Sequence, residues 1–219
     1  TFVNSGPRGF GTVWPTGSTR LQTSTNNLEF EGHTIPNLVI APLGLDNKIS
    51  VYGSTTADVV LDVLGVFVAS GPTTAGRFQA LGPTRAFDSR EAGDAEFGAH
   101  STQTIDLKSA GVPADATGVV LNVTAVQSRA RGNYRVWAAG QSRPEHSNVN
   151  VLSANYTAGN QVISGVDDGR IQVYSSAGGG MTIDVTGYFT GSGGDPTTEG
   201  LFVPFTPGRL LDTRQNNAT

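Results

Sequence analysis

Apolar and polar residues alternate along much of this chain, with few recurrences at every third or fourth position. In 181–190, Met181, Ile183, Val185 and Phe189 share one side with Gly187, and Thr182, Asp184, Thr186, Tyr188 and Thr190 share the other. Successive side chains of a strand point to opposite faces, so this pattern predicts a strand with its first side in a core and its second in water. Similar short runs rich in Val, Ile, Thr, Tyr and Phe predict strands at 77–81, 85–89, 102–107, 118–126, 134–138, 148–152, 161–166 and 170–175. Gly, Pro, Asn and Asp punctuate the gaps. No helical stretch long enough for a parallel α/β crossover lies between them. The expected fold class is all-β: antiparallel β-sandwich or jelly-roll-like modules in tandem.

Several blocks occur twice. Residues 5–15 (SGPRGFGTVWP) align with 128–138 (SRARGNYRVWA), and 48–54 (KISVYGS) with 170–176 (RIQVYSS). Residues 62–68 (DVLGVFV) align with 184–190 (DVTGYFT), and 207–214 (PGRLLDTR) with 83–90 (PTRAFDSR). Four blocks in one order, offset by 122–124 residues, point to a repeated unit. The chain then divides into 1–68, the later part of a first module, and 77–190, a complete module. Residues 201–219 are the opening strands of a further module, or a tail completing a neighbouring subunit. Residues 69–76 and 191–200, rich in Gly, Ser, Pro and Thr, read as linkers. A cut inside the repeat fits either a subunit completed by its neighbours or a window of a longer chain.

The two copies differ most in 59–68. Val59, Leu61, Val63, Gly65 and Phe67 take the inner positions there, and Val60, Asp62, Leu64, Val66 and Val68 the outer ones. Four outer residues thus change from Thr182, Thr186, Tyr188 and Thr190 to Val60, Leu64, Val66 and Val68. An apolar stripe of this kind is not normally left wet. Burying such side chains is worth roughly 1.5–3 kcal/mol each. Val60, Leu64, Val66 and Val68, with Leu201, Val203 and Phe205 of the tail, are therefore the expected interface residues. The alternative is a strand central to a thicker core.

Composition narrows the function. Charged residues are 15% of the chain and the net charge is −4, with no basic stripe, so a nucleic-acid partner is not expected. There is no Cys, which removes disulfides, thiolate metal sites and thiol nucleophiles. The longest apolar run, 59–68, contains Asp62 and Gly65 and is shorter than the roughly 18–20 residues of a membrane helix, so no membrane span is expected.

Candidate chemistry is sparse. Asp88 and Arg90, and likewise Asp212 and Arg214, are two residues apart, where a strand points both to one side. They read as structural salt bridges, with anion binding by Arg85 or Arg209 and its neighbours as the functional alternative. Asp62 and Asp184 recur inside apolar strands, and Asp58 precedes Asp62. Calcium wants several converging oxygens, so it remains the one cofactor considered; otherwise none is expected. Trp14 and Trp137 are shared by both copies and read first as packing residues, second as a stacking platform for a sugar ring. His33, His100 and His146 read as surface residues, since the copies do not share them. The Gly-rich loop 175–181 is a weak phosphate-binding candidate. No nucleophile or acid–base constellation stands out, so no enzyme activity is expected.

The segments RLLDTR (209–214), GVPADATGVVLNVTAV (111–126), YRVWAAGQSRP (134–144), SNVNV (147–151), QVYSS (172–176) and IDVTGYFTG (183–191) carry a resemblance. Together they resemble a tandem β-rich repeat of secreted and cell-surface proteins of actinobacteria and related bacteria, with the form LLDTR…VLNVT…VWPAG…SNLN…DVxGYF. The AAG after Trp137 departs slightly from that form, and the first copy keeps VWP without the AG. The resemblance implies an exported module found in arrays, and assigns no catalytic residue. Two functions are expected from it and from the residues. The first is a non-enzymatic structural protein of the bacterial cell exterior, joined head-to-tail with copies of itself or neighbouring modules. The second is a glycan-binding, cell-wall-binding or adhesion module of a larger secreted protein.

Overall fold

The computed structural model describes residues 1–20, 24–67 and 75–193. It is all-β, and its strands form four antiparallel sheets. Among the described residues, helical structure is limited to two short 3-10 turns, Leu45–Asn47 and Lys108–Ala110.

The second half builds a sandwich from β6 (Phe78–Asp88), β7 (Ser101–Asp106), β8 (Gly118–Val126), β9 (Gly132–Ala138), β10 (Val149–Val151), β11 (Ala158–Gly165), β12 (Arg170–Ser175) and β13 (Gly180–Phe189). One sheet has the order β10-β9-β12-β7 and the other β11-β8-β13-β6. The chain changes sheet at every connection except β9 to β10. On β8, Val119, Leu121, Val123 and Ala125 are fully buried at alternate positions, as the pleat requires. They join Met181, Ile183 and Val185 of β13 and the inward Val136, Val149, Ile171 and Val173 of the facing sheet in one continuous core. Phe97 bridges Phe87 and Tyr134 edge-on at 5.9 and 6.3 Å between ring centroids.

Two expectations change in detail. The strands predicted at 77–81 and 85–89 are one strand, β6, whose pairing with β13 skips around Gly82 and Pro83. Opposite β8, β13 carries one extra residue, Thr186, whose hydroxyl donates to the Val120 carbonyl at 3.1 Å. A bulge shifts the alternation by one. Tyr188, expected in water, therefore packs against the core, and Phe189, expected in the core, turns to Phe78 at 5.6 Å. Gly187 follows the bulge because β6 crosses there: a Cβ would lie 2.6 Å from the Gln79 carbonyl oxygen and closer still to the Phe78 ring.

The first segment holds β1 (Phe2–Val3), β2 (Gly9–Pro15), β3 (Asn26–Leu28), β4 (Ile49–Gly53) and β5 (Asp58–Val59). They form a β3-β2-β4 sheet and a β1-β5 pair. Every pairing follows the sequence offset. Val13 opposite Val51 corresponds to Val136 opposite Val173, and Gly9 opposite Leu28 to Gly132 opposite Val151. Phe2 opposite Val59 corresponds to Ala125 opposite Met181, and the bridge from Phe2 to Ile35 to that from Ala125 to Ala158. Left-handed residues coincide too: Asn4 with Gln127, Gly17 with Gly140, Gly32 with Asn155 and Asp46 with Asp168.

Among the described residues of 1–67, however, nothing stands where β6 and β7 stand in the sandwich, and only the end of β8 has a counterpart, β1. The core is correspondingly thin. Phe2 and Leu28 are the buried apolar side chains of this segment among the described residues. Phe2 lies directly over Gly11, where a Cβ would collide with its ring. The equivalent positions in the sandwich are Ala125 and Tyr134, both fully buried, so the aromatic ring has changed strands and the facing small residue has changed with it.

The largest correction concerns 59–67. A strand with a buried inner face was expected, but backbone pairing ends at Val60, which exchanges hydrogen bonds with Thr1. Both faces are exposed: Val63, an inner residue, is 85% exposed and Val66 71%, whereas Ile183 and Val185 are 0% exposed. The cause is the lack of neighbours. β13 is buried because β8 and β6 flank it; among the described residues, 59–67 has Thr1–Val3 beside its first two residues, with Thr1 and Val60 exchanging hydrogen bonds at 2.9 Å, and neither neighbour along 61–67.

Candidate assembly surface

The exposed segment is therefore wider than the four-residue stripe read from the sequence. Val60, Leu64 and Val66 are exposed as that stripe requires, but so are Val59, Leu61, Val63 and Phe67. Phe67 touches the sandwich, its ring 6.2 Å from that of Phe189. Val68, Leu201, Val203 and Phe205 lie outside the described residues.

The complete unit shows which charges accompany this strand when it is flanked. Asp184 of β13 lies opposite Arg85 of β6, whose Nε donates to Asp184 Oδ1 at 2.5 Å. Arg85 also donates to Asp88. Arg90 grips Asp88 with two side-chain hydrogen bonds, 2.7 and 2.6 Å, and its backbone N–H donates to the same carboxylate at 3.1 Å. Asp88 is buried and Arg90 is in the turn after β6, so a turn, rather than strand alternation, brings them together. The hydrogen bonds from Arg90, with the charges of Arg90 and Arg85, hold the Asp88 carboxyl well below the usual carboxylate range. Asp212 and Arg214, expected to form the matching bridge, lie outside the described residues.

The Arg85–Asp184 pair is the link that sequence reading missed. Its signal was present: Asp62 and Asp184 recur in apolar strands, and Arg85 and Arg209 recur at the opening strand. Asp62 occupies the place of Asp184, yet no Arg or Lys among the described residues forms a salt bridge with it.

Other candidates are absorbed by the fold. Trp137 is only 8% exposed and its indole N–H donates to the Gln141 carbonyl at 2.9 Å. Its ring is packed into the sandwich and offers no open face to a sugar ring. Trp14, half-buried, makes the same bond to Ser18 at 3.1 Å. His33 is buried rather than on the surface, stacked on Phe30 at 4.5 Å, with its Nδ1 accepting the Glu29 N–H. In the Gly-rich loop, Gly179 exchanges both backbone hydrogen bonds with Phe97 and the Gly178 N–H donates to Ser175, so these donors are already used. Asp184 is taken by Arg85, and no cluster of three His, Asp or Glu suited to a metal ion occurs among the described residues. No helix among them is long and apolar enough to cross a membrane.

Compared with protein-family models, curated proteins and solved structures, the chain finds no match.

Proposed function

We propose that this protein is a non-enzymatic structural component of the bacterial cell exterior, whose repeated sandwich modules join head-to-tail into a filament, sheath or stalk. One observation carries the reading: an apolar strand pattern that is buried between two neighbours in 180–189 is exposed on both faces in 61–66. An unpaired apolar strand is a template for another strand, because added main-chain hydrogen bonds and apolar burial act together. An asymmetric contact of this kind propagates without closing. The resemblance to surface repeats agrees with a structural role outside the cell.

The test is sedimentation and electron microscopy of the purified chain beside Leu64→Thr/Val66→Thr. Regular polymers from the native chain, absent or shortened in the variant, are expected. A native chain that remains monomeric at high concentration refutes the proposal.

A further inference from the structure

Along β12, Ile171 and Val173 enter the core, so Tyr174 faces outward, yet it is only 7% exposed. What covers it is charged. The Arg143 guanidinium lies over the ring at 4.2 Å from its centroid, and that of Arg135, opposite Tyr174 on β9, at 5.6 Å. His100 shares a hydrogen bond of 3.0 Å with the Tyr174 hydroxyl. Among the described residues, none of these three side chains forms a salt bridge. Arg135 is fixed in place: its Nε donates to Asn133 Oδ1 at 3.2 Å and its Nη1 to the Pro144 carbonyl at 2.8 Å, which leaves Nη2 to a further acceptor. The first segment repeats the device. Arg20 lies over Tyr52 at 3.9 Å, and the two correspond to Arg143 and Tyr174 at offsets of 123 and 122. One kind of turn presents both arginines. It contains a left-handed glycine, Gly17 or Gly140, and the indole N–H of Trp14 or Trp137 donates to the carbonyl two residues before the arginine, that of Ser18 or Gln141. A guanidinium over an aromatic ring keeps N–H donors for an acceptor beyond it. Cations gathered on one ring repel each other, and an anion among them removes that cost.

We propose that Arg135, Arg143 and Tyr174 form a binding site for the carboxylate or phosphate group of an acidic polysaccharide, with Arg20 and Tyr52 as a second site. The guanidinium fork matches either oxyanion. The second site is the weaker, because Thr12 stands where the complete unit has Arg135. Thr102 lies opposite Tyr174 on β7, and Gln172 and Thr104 form the next outward pair on the same face. These are neutral hydrogen-bonding groups suited to sugar hydroxyls. A net charge of −4 opposes a densely charged nucleic acid more than a chain whose anions are spaced by neutral rings. The site goes beyond the assembly reading and stands whether or not the modules join.

The test is isothermal titration calorimetry of the whole chain with an oligogalacturonate and with a phosphomannan oligosaccharide, beside single-stranded DNA carrying the same number of charges. At least one oligosaccharide is expected to bind, at a stronger and a weaker site, and the tighter of the two identifies the anionic group. Arg135→Gln and Arg143→Gln are each expected to weaken the stronger site at least about tenfold. Arg143→Lys is expected to recover only part of that loss, since it keeps the charge without the fork. Arg20→Gln is expected to remove the weaker site alone. Arg143→Gln is expected to melt within about 3 °C of native, since Arg143 makes no hydrogen bond or salt bridge among the described residues, so that lost binding is not lost folding. The proposal is overturned if neither oligosaccharide binds, if both glutamine variants bind like the native chain, or if the DNA binds as tightly through the same arginines.

Discussion

Two glycines at equivalent positions should respond oppositely to the same substitution. Gly187 sits beneath β6, and an added methyl group would lie 2.6 Å from the Gln79 carbonyl oxygen and closer to the Phe78 ring. Ordinary contact for such a carbon begins near 3.4 Å, so β6 must move by most of an ångström. The ring can swing away, but the carbonyl belongs to a strand held along its length by β13. Overpacking of this order costs about 1–3 kcal/mol. For a domain the size of this sandwich, that lowers the melting temperature by roughly 4–12 °C. Gly65 has nothing within 4 Å of the same added group. Gly65→Ala should therefore leave the isolated chain within about 0.5 kcal/mol of native. The assay is urea and thermal unfolding of both variants, followed by tryptophan emission and near-ultraviolet circular dichroism at a concentration too low for assembly. A harmless Gly187→Ala refutes the packing of β6 on the bulge. A Gly65→Ala as damaging as Gly187→Ala means that the strand is already covered within the single chain.

Asp88→Asn should cost about 1–3 kcal/mol at neutral pH, because charge-assisted bonds from Arg85 and Arg90 are lost. The folded carboxyl is depressed relative to the unfolded one, so its contribution is full above about pH 5 and fades as pH falls below about 4. The stability gap between native and variant should narrow over that acid range in urea titrations, and a gap that is constant with pH refutes the assignment. With Trp14 replaced by Phe, the emission of Trp137 should be blue-shifted and resist acrylamide quenching, since its indole is buried; ready quenching would restore the open-platform reading. Phe2→Ala and Gly11→Tyr should each destabilise the first segment, and together should cost at least about 1 kcal/mol less than their sum, because the double variant reproduces the Ala125–Tyr134 arrangement. Additive losses would show that the two positions do not share one space.

The strands were legible because alternation, β-branched residues and turn punctuation agree along most of the complete unit. Gly118–Val126 and Arg170–Ser175 have the bounds that the pattern predicts. Pairing was legible through the repeat, since residues at one offset take one register. What alternation could not convey is a bulge: Thr186 adds a single residue, and Tyr188 and Phe189 exchange sides without any break in the sequence pattern. The Gly82–Pro83 pair looked like a turn between two strands because the same residues serve turns and irregular edge strands. The Arg85–Asp184 pair joins residues 99 positions apart, beyond the reach of local spacing. Trp137 and His33 were ambiguous because an aromatic ring with a polar tip suits a core with one hydrogen-bond partner as well as a surface.

The segments 183–189 (IDVTGYF) and 61–67 (LDVLGVF) show how little of burial is written in a strand itself. Both have the alternation, the aspartate and the glycine. One is enclosed and the other bare, and the difference lies in whether β6 and β8 stand beside them. Apolar burial is a property of pairs of surfaces, so a strand's hydrophobic face specifies a need rather than a location. The bare copy is also the more apolar one, with Leu64 and Val66 where the enclosed copy has Thr186 and Tyr188. Selection for a freely wetted segment would act the opposite way, since exposed apolar strands aggregate. On the assembly reading proposed above, the apolar shift at this position suits a strand that receives a partner, and the aspartate within it would give that partner a register that a uniform apolar strip lacks.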